Sequence, residues 1–166
     1  MRAFGAELIE YGRDFDEALE EALRRANSRG LHMVPSFHAE LVRGVATYAL
    51  ELFQAVADID TLYVPIGLGS GICGTIQVRD LLGLRTDIVG VVSEKADAYA
   101  PSFEKGRIVA TKSADTLADG IACRTPNPEA FDIIRRGALR FVRVAEEEIK
   151  TAIRTYHEDT HNTAEG

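Results

Sequence analysis

Residues 61–74, TLYVPIGLGSGICG, constrain this chain more than any other stretch. The run 61–66 is apolar without alternation, the pattern of a strand covered on both faces in a parallel sheet. Glycines follow at 67, 69, 71 and 74, and the spacing predicts a helix over 72–82. A strand that ends in glycines and reopens as a helix brings free backbone amides to a point where an anion can approach them. Four glycines within eight residues exceed what a plain strand–helix connection needs. Two ligand readings fit. Gly69-Ser70-Gly71-Ile72-Cys73-Gly74 is G-x-G-x-x-G, the dinucleotide fingerprint. Glu94, at the end of the next strand, is then the acid for a ribose hydroxyl. Alternatively, Gly67-Leu68-Gly69-Ser70-Gly71 grips a single phosphate, which also gives Gly67 a role.

The rest of the chain alternates between strand and helix patterns. Strands are expected at 6–11, 31–34, 61–66, 87–92 and 141–144, with a short one at 108–110. Asp14 is placed to N-cap a helix that Gly30 stops, with Glu17 as its capping-box partner. Apolar spacing predicts a helix over 41–56. A further helix is expected over 96–103, and Asn127-Pro128 opens another that runs to Gly137. A helix with an acidic start follows over 145–157. This alternation predicts an α/β fold: a three-layer αβα arrangement with a mainly parallel, Rossmann-like sheet.

The 166 residues suit one domain. With 19 Lys and Arg against 26 Asp and Glu, the net charge is −7, which argues against a nucleic-acid footprint. Two cysteines, Cys73 and Cys123, make neither a disulfide framework nor a zinc site and suit a reducing compartment. No stretch has the length of a membrane helix or the layout of a signal peptide, so a soluble cytoplasmic protein without membrane partners is expected.

Several segments fall in a familiar order: Gly5-Ala6-Glu7; Val34-Pro35-Ser36-Phe37-His38; Gly44-x-x-Thr47 with Ala49-Leu50-Glu51; Val64-Pro65-Ile66-Gly67; Ala118-Asp119-Gly120-Ile121; and Ala164-Glu165-Gly166. That order resembles the threonine/serine dehydratase family of pyridoxal-phosphate (PLP) enzymes, of the tryptophan-synthase-β fold type (fold type II), along nearly the whole chain. The ending Thr160-His161-Asn162 before Ala164-Glu165-Gly166 is similar to the hydroxyectoine-utilisation dehydratases. The resemblance implies that the loop Gly67, Leu68, Gly69, Ser70 and Gly71 holds the cofactor phosphate, with the backbone of Gly120 passing the cofactor ring. Leu68 departs from a tetraglycine pattern; at a left-handed position it would cost roughly 1–2 kcal/mol.

The resemblance further implies that residues 1–30 are the last β-α unit of a small domain and 31–166 an incomplete large domain. The family's cofactor lysine lies in a Ser-x-Lys pattern that Lys95, Lys105, Lys112 and Lys150 do not match. The expectation is therefore a fragment of an ammonia-lyase acting on a hydroxy-amino acid. It would supply the phosphate loop, hold PLP weakly or not at all, and be inactive alone. The alternatives are a non-catalytic binding or assembly module on the same scaffold, or a nicotinamide-nucleotide domain. Large domains of the family make most of the dimer contact, and the face carrying Phe15, Leu19 and Leu23 would be left uncovered, so a homo-oligomer is expected.

Other residues read more plainly. His38 is expected as an exposed loop histidine rather than a site contact, and His157 with His161 as a solvated helix end rather than a metal pair. Cys73 and Cys123 read as small buried residues. At Gly120 the backbone, not the Asp119 carboxylate, is the expected contact. Glu146, Glu147 and Glu148 suit a helix start. Some relatives carry a cation site whose acids would stand at positions 92 and 98. Here these are Val92 and Ala98, with Glu94 and Asp97 out of register, so no metal site is expected.

Overall fold

The computed structural model describes residues 1–166. It divides into two compact units, residues 1–35 and 36–166. No helix is long and apolar enough to cross a membrane.

The first unit holds a short 3-10 turn, Arg2–Phe4, and one helix, α1 (Phe15–Arg29). The carboxylate of Asp14 accepts the Glu17 amide at 3.0 Å and so caps the helix, and Gly30 ends it in the left-handed conformation. Glu17 reaches back one residue further than a capping box requires, accepting the Arg13 amide at 2.9 Å. The expected strands at 6–11 and 31–34 do not form. A strand is held by its neighbour, and no strand lies in this unit to supply the ladder.

The second unit is an α/β fold. Its elements are α2 (Ala39–Ala55), β1 (Thr61–Pro65), α3 (Ser70–Leu81), β2 (Asp87–Ser93), α4 (Tyr99–Lys105), α5 (Pro128–Gly137), β3 (Arg140–Val144) and α6 (Glu146–Thr160). The strands form one parallel sheet in the order β1-β2-β3, with Val64 opposite Gly90 and Gly90 opposite Phe141. Helix α3 packs on β1 and β2, and α2 and α5 pack on α3. Between them lies the core of Val42, Val64, Ile66, Ile72, Ile76, Ile88 and Ile134.

Burial on both faces belongs to β2, where Ile88, Val89 and Val92 are fully enclosed. It does not hold for β1, which is an edge strand: Tyr63 is 56% exposed and only Val64 is buried. Tyr63, Val89 and Arg140 stand in one row across the sheet. The Arg140 guanidinium lies 5.9 Å from the Tyr63 ring centroid and donates to its hydroxyl at 3.3 Å, closing over Val89.

The remaining boundaries differ in detail. Helix α3 opens at Ser70 and α4 at Tyr99, because Ala96 first makes a turn back to the Ser93 carbonyl. No strand forms at 108–110, where the Val109 amide goes to the Ser102 hydroxyl at 2.9 Å. Helix α6 continues to Thr160, capped by a left-handed His161.

Two glycines set how closely the layers meet. A Cβ on Gly90 would stand 2.7 Å from Ile66 Cδ1 and 2.9 Å from Phe141 Cε1. Gly44, inside α2, has open space around it and an ordinary φ. Gly90→Ala is expected to destabilise by about 1–3 kcal/mol through overpacking. Gly44→Ala is expected to stabilise by about 0.5–1 kcal/mol through helix propensity and lost chain entropy. Urea unfolding of the two variants beside the parent chain measures both signs.

Candidate functional site

The expected site residues 67–71 lie at the carboxyl end of β1. Ile66 still donates to Val91 at 3.0 Å, so the chain is held to β2 up to the turn. Gly67 follows, and a Cβ there would lie 2.5 Å from the Gly120 carbonyl oxygen. The structure thus brings Gly67 and Gly120 together across 53 positions of sequence. Only a residue without a side chain allows that approach.

Gly69 takes φ 101° and serves as the N-cap of α3. Its missing Cβ leaves room for three groups behind it: Ala130 Cβ at 3.0 Å, and Ile134 Cδ1 and the Tyr99 hydroxyl at 3.2 Å. The left-handed residue of the turn is therefore Gly69 and not Leu68, which keeps a negative φ. The strain expected of a leucine at position 68 does not arise.

The first helical bond of α3 runs from the Cys73 amide to the Gly69 carbonyl at 3.0 Å. The amides of Ser70, Gly71 and Ile72 precede that ladder, and Gly69 has no side chain to cap them. Helix α3 points these amides and the positive end of its dipole at the mouth of the turn, an arrangement suited to an anion. Ser70 and Gly71 are half-buried there. The Gly71 carbonyl faces the other way, accepting from Thr75 Oγ1 at 2.9 Å and the Tyr48 hydroxyl at 3.2 Å. Gly74, the last glycine of the fingerprint, serves packing: a Cβ would stand 3.0 Å from Ala46 Cα on α2.

Two residues behind the turn carried no signal in the sequence. Tyr99, 2% exposed, donates its hydroxyl to the Leu68 carbonyl at 2.7 Å and accepts the Asn127 amide at 3.1 Å. Burial pushes its phenol well above the usual tyrosine range, so it remains a donor. Asn127 also caps α5, its side-chain oxygen accepting from Glu129 and Ala130 at 3.0 and 3.1 Å. The second residue is Glu146. Its Oε2 accepts the Leu117 amide at 2.8 Å, and its Oε1 accepts Thr116 Oγ1 at 2.7 Å and Ser93 Oγ at 2.8 Å. It thereby fastens the segment that leads to Gly120 onto the end of β2. Hydrogen bonds from Leu117 first, then Thr116 and Ser93, hold its carboxyl down at about 2. Sequence reading assigned Glu146 only a helix-dipole role.

The remaining candidates are structural. The imidazole of His38 accepts the Glu40 amide at 3.2 Å as the N-cap of α2. Cys73 is enclosed beside the Ala130 carbonyl at 3.6 Å, and burial pushes its thiol up to about 12. Cys123 is buried with its sulfur 3.1 Å from the Thr125 carbonyl. Asp97 pairs with Arg143 at 2.8 Å. Glu94 is exposed, and its amide is used by the Val144 carbonyl of β3.

Residues 1–166 match the family described as pyridoxal-phosphate dependent enzyme. The chain belongs to this family. It is 38% identical to an L-threonine ammonia-lyase of Geobacter sulfurreducens and 32% identical to one of Thermotoga maritima, in each case over 99% of this chain and 41% of the relative. The chain thus spans about two-fifths of the length of these relatives. The processed form of threonine deaminase isoform 2 from Solanum lycopersicum superposes with a TM-score of 0.89 at 29% identity, over 99% of this chain and 48% of that one. The T.th. threonine deaminase gives 0.87 at 26%, over 99% and 55%. The α/β arrangement is that of the fold type II PLP enzymes.

The depressed carboxyl of Glu146 fixes a sign for pH dependence. A free glutamate titrates near about 4.3. The stabilisation from Glu146 is therefore complete above that value and lost as pH falls toward about 2. Glu146→Gln is expected to lower the thermal midpoint at pH 7, and the gap to the parent chain is expected to close between pH about 4.3 and about 2. Melting curves at stepped pH follow that gap.

Proposed function

We propose that this chain holds the phosphate of PLP in the turn Gly67, Leu68, Gly69, Ser70 and Gly71, with the Gly120 backbone as the facing wall. In this reading it forms part of an ammonia-lyase acting on a small hydroxy-amino acid. The observation that carries the reading is the left-handed Gly69 at the N-terminus of α3, backed by α5 and facing the Gly67–Gly120 approach. The family match favours it over a nicotinamide nucleotide.

The residues fit a phosphate. The turn offers backbone donors and no carboxylate, and Ser70 adds a hydroxyl beside them. PLP, when bound, withdraws electrons from the α-carbon of an amino acid, which permits loss of the α-proton and then of the β-hydroxyl. The part played by this chain is binding and orientation. The turn anchors one end of the cofactor, and Glu146 keeps the Gly120 segment against it. By this reading residues 1–30 correspond to the end of a small domain and 31–166 to most of a large one.

We assign proton transfer to none of the chain's lysines. Lys150 pairs with Glu147 at 2.6 Å, Lys105 ends α4, and Lys95 and Lys112 lie in connecting segments. The chain alone is then expected to release no 2-oxo acid from threonine or serine. Borohydride reduction in the presence of PLP, followed by peptide mass spectrometry, should find no single modified lysine. Turnover together with one specific modified lysine overturns this assignment, whereas phosphate binding without turnover in any reconstituted form favours a binding or assembly module.

For binding itself, pyridoxal phosphate at about a hundred times its Kd should stabilise the chain by about 2.7 kcal/mol. Gly67→Ala combined with Ser70→Ala is expected to remove most of the corresponding thermal shift. An unchanged shift in that double variant would sink the assignment.

Self-association completes the reading. The first unit exposes Phe4, Tyr11, Phe15, Leu23, Leu31 and Val34, with Phe4 93% exposed, while Leu19 is half-buried. Apolar surface of that extent favours a homodimer or higher oligomer. Sedimentation equilibrium at micromolar concentration should give more than the monomer mass of 18.2 kDa.

A further inference from the structure

We propose that Tyr99 is a positioning residue that aims the Gly69 amide at the bound phosphate by holding the preceding carbonyl from behind. The inference rests on the phosphate-binding reading above and goes beyond it to the residue that sets the turn's polarity.

The Leu68 carbonyl and the Gly69 N–H belong to one planar trans peptide and point in opposite directions. The Tyr99 hydroxyl takes that carbonyl at 2.7 Å. The Gly69 N–H is thereby turned away from Tyr99, out of the packed side of the turn. Without the hydroxyl the peptide has a second orientation, reached by rotating its plane about the flanking Cα atoms. That rotation carries Gly69 out of its left-handed φ of 101° into the right-handed region, which glycine also accepts. It exchanges an amide hydrogen for a carbonyl oxygen on the anion side, so an attraction becomes a repulsion.

Several features make the hydroxyl fit this task. Its acceptor side is occupied by the Asn127 amide at 3.1 Å, which directs its single hydrogen to Leu68. It sits 3.2 Å from where a Gly69 Cβ would be, so the bond runs straight against the turn. The tyrosine is enclosed, at 2% exposure. Helices α4 and α5 thus converge on one peptide plane through one oxygen atom.

The test uses Tyr99→Phe, which keeps the ring and removes the oxygen. Ser102→Ala serves as a control for the loss of a buried hydroxyl on the same helix, since Ser102 bonds Ala98 and Val109 and not the turn. The probes are inorganic phosphate, pyridoxal phosphate and pyridoxal. We expect Tyr99→Phe to weaken both phosphate-bearing probes at least tenfold, to leave pyridoxal unchanged, and Ser102→Ala to bind all three as the parent chain does. Equal weakening in the two variants, or parental phosphate affinity in Tyr99→Phe, overturns the inference. A ligand-free readout separates this outcome from failure of the binding reading. Amide–Hα couplings of Gly69 by NMR should report a left-handed φ in the parent chain and a mixture in Tyr99→Phe. An unchanged φ overturns the clamp whether or not phosphate binds. A parent chain that binds no phosphate overturns the binding reading and, with it, the aim of the clamp.

Discussion

The Leu68–Gly69 peptide is the point on which the second unit is organised. A strand and three helices all reach it. Strand β1 delivers it, α3 starts from it, Tyr99 of α4 bonds it, and Ala130 and Ile134 of α5 fill the space behind it. A Cβ at Gly69 would press on Ala130, Ile134 and the Tyr99 hydroxyl at 3.0–3.2 Å. The close approach of Ala130 and Ile134 adds tight packing to the left-handed φ that already favours glycine there. A substitution there disturbs fold and site together.

Much of this was legible because it is local. The strand–glycine–helix passage, the Asp14 cap and the Asn127-Pro128 helix start each depend on residues within a turn of one another. Strands at 6–11, 31–34 and 108–110 were misread because their apolar content says nothing about a partner, and a strand without one has no ladder. Strand β1 was misread for a related reason: lack of alternation signals burial only when something lies on both sides. Leu68 shows the limit of arguing from a family pattern. Four glycines in a motif do not mean four left-handed residues, and here the backbone places that conformation one position later.

What the sequence concealed lies at long separation. Tyr99 and Leu68 are 31 residues apart, and Glu146 and Ser93 are 53 apart. Neither pair has a spacing rule that could reveal it. Glu146 sits among three glutamates at a helix start, where a dipole argument suffices for each of them. Only the fold distinguishes it, because it alone takes Ser93, Thr116 and Leu117. The Gly67–Gly120 approach is of the same kind, since each glycine taken alone reads as a turn.

The outer side of β1 has a different consequence. On the side away from β2 the backbone groups of Thr61, Tyr63 and Pro65 meet no ladder, and Pro65 has no donor to offer there. Such an edge is a template for pairing with another extended chain, blunted here by the short strand and by Pro65. Tyr63 and Arg140 cover one face of the sheet but leave its border open. Pairing at this border would join copies of the chain without disturbing the core. Loss of material would follow protein concentration rather than temperature, with the folded state intact in what stays dissolved.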